Sequence, residues 1–488
     1  MSTSATTGFC RVTVVAPDSR IDVALPEDIA VADVYPELLR LTGQTQAPGT
    51  PTGYHLVRRD GTVLEGARTL AAQRVLDGEL LALRPFAESL PPAVHDDVSD
   101  AVAAAVTRDR ALWDDRLLRA GGLWGGALLL VLLAFALWSA DPLRHDTHGL
   151  PGIVAAAVGL FLTAFAGVRA RVYDDRGSAV ALGLAALPHL MTAGAGVLTP
   201  GAGEGVGRLQ FLLGCVAVLI GSVVLVAALP SGDAPFVAAV VASATGTLAT
   251  FCAILTEAGP TAVAAVCAAV ALGAVAFLPG LSARVARLPI GYAAPRSTVG
   301  DDLDTPTGDH TPEPVDAEHI AAQARRGHEL LLGLVGGCSA VVVGSAAVLG
   351  FSADPWAQAL ALAAGAATLL RARLFRYTAQ VTTVLAAGLG ALALLIVGLS
   401  LNPPAAAVRA LAEHDGGPLD IRTVWLAAAV TAGAALLTGI ALIVPSKGLS
   451  PFWGRLSDIF ESALLLSLVP LCLAVLDVYA TVRGLTSS

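Results

Sequence analysis

Lysine is all but missing from this chain of 488 residues, where Lys447 is the single one. A phosphate-binding loop that ends in lysine is therefore excluded, because Val444-Pro445-Ser446-Lys447-Gly448 has no glycine-rich run before it. Charge of either sign is scarce too, at 14% of residues, against about 25% in soluble domains. The net charge of -9 provides no basic footprint and argues against nucleic acid as a partner. Cys10, Cys215, Cys252, Cys267, Cys338 and Cys472 are scattered without a CxxC pair. Neither a disulfide framework nor a zinc site is indicated, and the five beyond Cys10 read as small hydrophobes in apolar spans. No HExxH occurs, and His145, Asp146 and His148 read as solvated loop residues. No catalytic residue, metal or cofactor is expected. No apolar h-region opens the sequence, so no cleavable signal peptide is expected and the first segment should stay in the cytosol.

What the chain has is apolar length. Hydrophobic residues make up 55% of it, and about eleven stretches of some twenty residues could each cross a bilayer as a helix. The expected spans are 121–140, 150–168, 178–198, 209–229, 234–255, 261–282, 329–350, 355–371, 379–401, 423–444 and 461–481. The fold class is an α-helical polytopic membrane protein with an N-terminal α+β module. With that module inside, arginines fall mostly on inner segments, leaving Arg144, Arg208, Arg409, Arg422 and Arg483 outside. The ratio, about three to one, is the positive-inside bias. It requires an odd number of spans and an extracytoplasmic C-terminus over 482–488.

Residues 9–86 read as a compact soluble domain after a frayed 1–8. Cys10 to Ala16 and Arg20 to Leu25 alternate across the turn Pro17-Asp18-Ser19, which predicts a hairpin. Val31, Val34, Leu38 and Leu41 are spaced for a helix that Gly43 ends and that Pro36 should kink or restart. Tyr54 to Arg58, Val63-Leu64 and Glu79 to Arg84 are the remaining predicted strands. This order is that of a ubiquitin-like β-grasp. Conjugation is excluded: the module has no lysine, and Arg84-Pro85-Phe86 runs on without a terminal Gly-Gly. Residues 87–120 are predicted as an amphipathic linker helix with its stripe at Val94, Val98, Val102, Ala105 and Val106. The long inner interruption, 283–328, is acidic and proline-rich and reads as disordered, with a short helix over Val315 to Arg326.

Two groups stand out as contact candidates. Arg371, Arg373 and Arg376 cluster at an inner boundary, where they could hold anionic lipid headgroups or acidic partner surfaces. Gly333 and Gly337 form a GxxxG, with Gly344 seven residues on, and predict close helix packing. Ionisable groups inside spans are few. His189 beside Pro188 reads as a histidine hydrogen-bonded across a helix interface rather than a proton relay.

Several local stretches are family-like in their joint order. They are Leu90-Pro91-Pro92-Ala93-Val94 with Asp96-Asp97-Val98-Ser99-Asp100-Ala101, Arg371-Ala372-Arg373 followed by Gln380, and Glu461 through Leu468-Val469-Pro470-Leu471 to Tyr479, with Val482-Arg483-Gly484-Leu485 at the end. With the ubiquitin-like head and the span number, the whole chain resembles EccD, the polytopic component of the actinobacterial type VII secretion system. The resemblance implies a non-enzymatic scaffold in the cell membrane that pairs as a homodimer around a lipid-filled space. It implies assembly with EccB, the ATPase EccC and usually EccE, the head contacting the ATPase. The competing reading is a secondary transporter with a cytosolic ubiquitin-like regulatory domain. It predicts matching broken helices in two halves, and none is seen in the sequence.

Overall fold

A computed structural model describes residues 8–17, 19–44, 53–85, 98–99, 114–201, 205–288, 317–447 and 450–486. The chain divides into two compact units, Met1–Trp113 and Asp114–Ser488. The predicted stripe of the amphipathic linker lies almost wholly outside the described residues, as do the frayed start and the acidic centre of the long loop.

In the first unit, β1 (Phe9–Val15) and β2 (Arg20–Pro26) form the predicted antiparallel hairpin. Helix α1 (Val31–Leu41) crosses to β3 (Tyr54–Arg58) and β4 (Leu80–Pro85). The sheet order is β2-β1-β4-β3, with β1 and β4 parallel at the centre. Cys10, Val12 and Val14 alternate inward from β1 and meet Val31, Val34 and Leu38 of the helix, Leu56 of β3, and Leu81 and Leu83 of β4. The Tyr35 hydroxyl accepts from the Leu56 backbone N–H at 3.1 Å, tying helix to sheet. Burial pushes that phenol's pKa upward. Two expectations change. Pro36 neither restarts nor divides α1; it sits on the exposed face of one continuous helix. Val63 makes only an isolated bridge with Val57, so Val63-Leu64 is not a strand. Gly43 (φ +69°) stops the helix in the left-handed conformation that a side chain would resist.

The second unit is a bundle: α2 (Asp115–Trp138), α3 (Leu150–Arg171), α4 (Arg176–Ala195), α5 (Arg208–Ala228), α6 (Ala234–Thr256), α7 (Pro260–Val275), α8 (Leu278–Val285), α9 (Ala317–Gly350), α10 (Pro355–Arg371), α11 (Thr378–Leu401), α12 (Ala405–Ala412), α13 (Gly417–Lys447), α14 (Pro451–Val475) and α15 (Val478–Thr486). Among the described residues nine helical stretches are long and apolar enough to cross a membrane, and ten if the α7–α8 pair counts as one span. The stretch predicted as the eighth span is α10, whose 17 residues extend only roughly 25 Å at 1.5 Å per residue. Nine of its 17 residues are buried among neighbours, so it is short where it contacts protein as much as lipid.

Four boundaries depart from the predicted spans, each for a local reason. The sixth span is bent by 64° between Val275 and Leu278. Pro279 lacks an N–H, and its ring opposes the carbonyl of Val275, where α7 ends. The helix expected over Val315 to Arg326 is continuous with the seventh span, making α9 one rod of 34 residues. The tenth span, predicted at 423–444, extends over Gly417–Lys447 as α13. The last span starts ten residues early at Pro451 and stops at Val475, because Asp477 adopts φ +54° and breaks the helix before α15.

Packing is uneven. In α4, 61% of the apolar window is buried, and in α13 none is. The α9 rod packs on α6, α7, α10 and α11 and forms the hub of the largest core cluster. Alanine is its commonest member, with larger side chains such as Leu272, Leu349 and Leu360 between. Small side chains at these contacts let backbones approach, which is how helices gain packing energy when lipid supplies no hydrophobic drive.

Candidate functional site

Several ion pairs gather where the α3–α4 and α5–α6 turns meet, Arg171 reaching the Ala227 and Ala228 carbonyls there. There Asp233, fully buried at 0% exposure, is clamped by both terminal nitrogens of Arg326 at 2.7 and 2.9 Å. Glu329, one turn on, stands 3.5 Å from the same guanidinium and accepts from the Gly232 N–H. A planar fork on a carboxylate is the strongest geometry an ion pair offers. It fixes the α5–α6 turn, where Gly232 (φ +73°) reverses the chain, against α9. Beside it the His328 ring lies tilted against Tyr377, with centroids 4.1 Å apart, and meets the buried Gln380 amide at 3.2 Å. At the same place Asp175 caps α4 and accepts from Arg119 at 2.6 Å and from Arg169. Ser178, followed by the two arginines, holds the Asp175 carboxyl well below the usual carboxylate range, and its burial opposes the shift.

The three candidate arginines separate. Arg371 is buried; its Nε lies 3.9 Å from Glu461, and its Nε and Nη1 have no hydrogen-bond partner. Arg373 is half-exposed and donates to Asp458 at 2.9 Å. Arg376 is exposed. The first two join α10 and the short turn after it to α14, through acids one helical turn apart. Glu461→Gln is expected to lower stability by about 1–3 kcal/mol, because it strips the partner from a buried guanidinium. Asp458→Asn, at an exposed pair, should cost less than about 1 kcal/mol. Thermal unfolding of the two purified variants compares them directly.

The candidate glycines also divide. A Cβ on Gly333 would stand 2.5 Å from the Val237 Cβ, and one on Gly337 would stand 2.4 Å from the Val241 Cβ, so both glycines seat α9 on α6. Gly344 has nothing within 4 Å and lies apart from that contact. Gly398, which with Gly388 and Gly390 forms a looser glycine pattern in the sequence, meets the Gly350 backbone from α11. Gly194 of α4, which sequence reading missed, meets Leu213 and Gly214 of α5. The partners lie on other helices, so no local pattern marks them. The Asp233–Arg326 clamp was equally hidden, since 93 residues separate its members.

Arginines that stand against the charge bias have a structural use. Arg208 donates to the carbonyls of Ala253 (2.7 Å) and Glu257 (3.3 Å) at the C-terminus of α6. Arg422 donates to Leu399 and Asn402 at the C-terminus of α11. Arg171, an inner arginine that follows the bias, does the same for Ala227 and Ala228 at that of α5. Each supplies a cation and donors to the last carbonyls of a neighbouring helix, where the macrodipole is negative.

His189 is fully buried, but its Nδ1–H donates to the Ala185 carbonyl at 3.0 Å within its own helix, and Nε2 has no partner. The expected bond across a helix interface is not made. His148 meets the Gly196 carbonyl at 3.0 Å, and His145 stacks on Trp138.

A β-grasp module and a bundle of apolar helices define a multi-pass membrane protein with a ubiquitin-like domain. The EccD-like transmembrane domain family matches residues 118–485. The family of YukD, a protein of the WXG100 protein secretion system, matches residues 9–83. The chain belongs to the EccD family of type VII secretion membrane proteins. It is 28% identical over 515 aligned residues to the ESX-4 secretion system protein eccD4 of Mycobacterium tuberculosis, covering 98% of each chain. Its fold is shared with protomer 1 of the ESX-3 core complex, at a TM-score of 0.57 and 22% identity over 97% of this chain and all of that one. It is shared also with a chain of the MycP5-free ESX-5 inner membrane complex, at a TM-score of 0.51 and 22% identity, over 88% of this chain and 99% of that one.

Proposed function

We propose that this protein is a structural subunit of a type VII translocon that pairs with a second copy through α13 and docks further subunits, EccB, the ATPase EccC and EccE among them. One observation carries the pairing: α13 is apolar along 28 residues, yet none of its window is buried by the rest of the chain. Its main internal contact is the short helix α12, and Arg422 tethers its start to α11. Gly433 and Gly439 lie on it with nothing within 4 Å, leaving room for the close backbone approach that drives helix association in lipid. The head is proposed to be cytoplasmic and the C-terminus extracytoplasmic, with the arginine-rich end of the bundle inside.

A cysteine introduced on α13, Thr431→Cys, tests the pairing in native membranes. Oxidation is expected to yield a covalent dimer of the full chain. A monomer under crosslinking, together with a monomer mass in mild detergent, overturns it. Co-purification with a membrane ATPase, lost when residues 1–85 are deleted while the bundle still assembles, is the expected mark of the docking head.

A further inference from the structure

The bundle contains a groove of about 560 Å³ between α6, α7 and α9. It runs along α6 from Val241 to Thr256, roughly 22 Å at 1.5 Å per residue. An extended peptide does not suit it, because it would bring unpaired N–H and C=O groups into a wall with almost nothing to bond them. The two lining hydroxyls are already used: Thr245 donates to the Val241 carbonyl at 2.8 Å, and Thr256 to that of Cys252 at 2.8 Å. The remaining lining side chains are aliphatic or are thiols, which bond weakly. The groove is open to the lipid side, where Leu248 is 65% and Val270 64% exposed.

One end of this apolar slot carries a cation. Arg208 is held against the groove's α6 wall by Ala253, a lining residue, and by Glu257, which sits between the lining residues Thr256 and Ala258. Glu257 contributes its backbone carbonyl, and among the described residues no carboxylate pairs with Arg208. Two of five guanidinium donors are spent on carbonyls, which leaves a fixed positive charge with donors to spare. The N-terminus of α7 begins two residues beyond Ala258 and adds its own positive dipole end at the same place.

We propose that this groove is a binding site for one acyl chain of an anionic phospholipid, with its phosphate on Arg208. The length suits an extended methylene chain, the apolar wall disfavours polar occupants, and the cation selects the headgroup. The site lies within one chain and does not depend on the pairing through α13.

The test uses the full chain in nanodiscs of phosphatidylglycerol and phosphatidylcholine, released into native mass spectrometry. The wild-type protein is expected to retain phosphatidylglycerol over phosphatidylcholine. Arg208→Gln should weaken that retention about fivefold, while Arg208→Lys, which keeps the charge, and Arg176→Gln, at the start of α4 near the far end of α5, should preserve it. Ala249→Phe, which fills the slot, should reduce retention of both lipids. Excess inorganic phosphate should leave the lipid bound. Retention unchanged in Arg208→Gln, equal loss in Arg176→Gln, or displacement of the lipid by phosphate would each overturn the proposal.

Discussion

Replacing Arg326 by alanine is expected to destabilise the bundle far more than replacing its partner Asp233. The two sides of the clamp are unequally placed. Asp233 is fully buried, whereas the Arg326 side chain is 40% exposed. With arginine gone, a carboxylate remains in the interior with no counter-charge, and such uncompensated burial costs about 3–5 kcal/mol. With aspartate gone, the guanidinium still meets Glu329 at 3.5 Å and reaches solvent, so the loss should be about 1–2 kcal/mol, in the range of a lost charged hydrogen bond. The double variant Asp233→Ala/Arg326→Ala should recover part of the Arg326→Ala loss, since no orphan charge remains. Thermal unfolding of the three purified variants, read as a cycle, gives the coupling. Equal losses in the two single variants would show that the clamp acts only through its mutual attraction.

Substituting Gly333 and Gly337 together by leucine is expected to unseat α9 from α6. The atoms in the way are not flexible side-chain ends: they are the Val237 and Val241 Cβ atoms and the Ala234 and Ala238 carbonyls. Relief requires the two helix axes to separate, which also opens the contacts that α9 makes with α7, α10 and α11. Overpacking of a single core site costs about 1–3 kcal/mol, and two adjacent sites on one seam should bring the loss to at least ~3 kcal/mol or prevent assembly. Gly344→Leu is the internal control, for its Cβ meets nothing within 4 Å, and it should leave the unfolding temperature unchanged. Equal losses in Gly344→Leu and the double variant would remove the seam as the cause.

Both predictions rest on contacts between residues far apart in sequence, and that is where sequence reading loses its hold. The helical stretches were legible because each is a continuous apolar run, and the hairpin of the head because Cys10, Val12 and Val14 alternate. Gly333 and Gly337 were legible as a pair because their spacing repeats on a helix face. Gly344 was included by that spacing, yet the face it lies on turns away from any neighbour. Arg371 read as an inner-boundary arginine like Arg376, and nothing local distinguished the one buried against Glu461 from the one left exposed. The bend after Val275 carried a visible signal in Pro279, whose missing N–H required a break four residues after that carbonyl.

The sequence by itself determined that this chain lies in a membrane, that a β-grasp module precedes the bundle, and that no lysine-based phosphate loop is present. Those properties depend on composition and on short-range period, which survive without knowledge of neighbours. Only the tertiary structure decided which helices are buried, that α13 is left without cover, that Arg208 and Arg422 cap other helices, and that Asp233 meets Arg326. Each of these depends on distance in space, and in a bundle of nearly uniform apolar helices the sequence offers almost no local mark of which faces will meet.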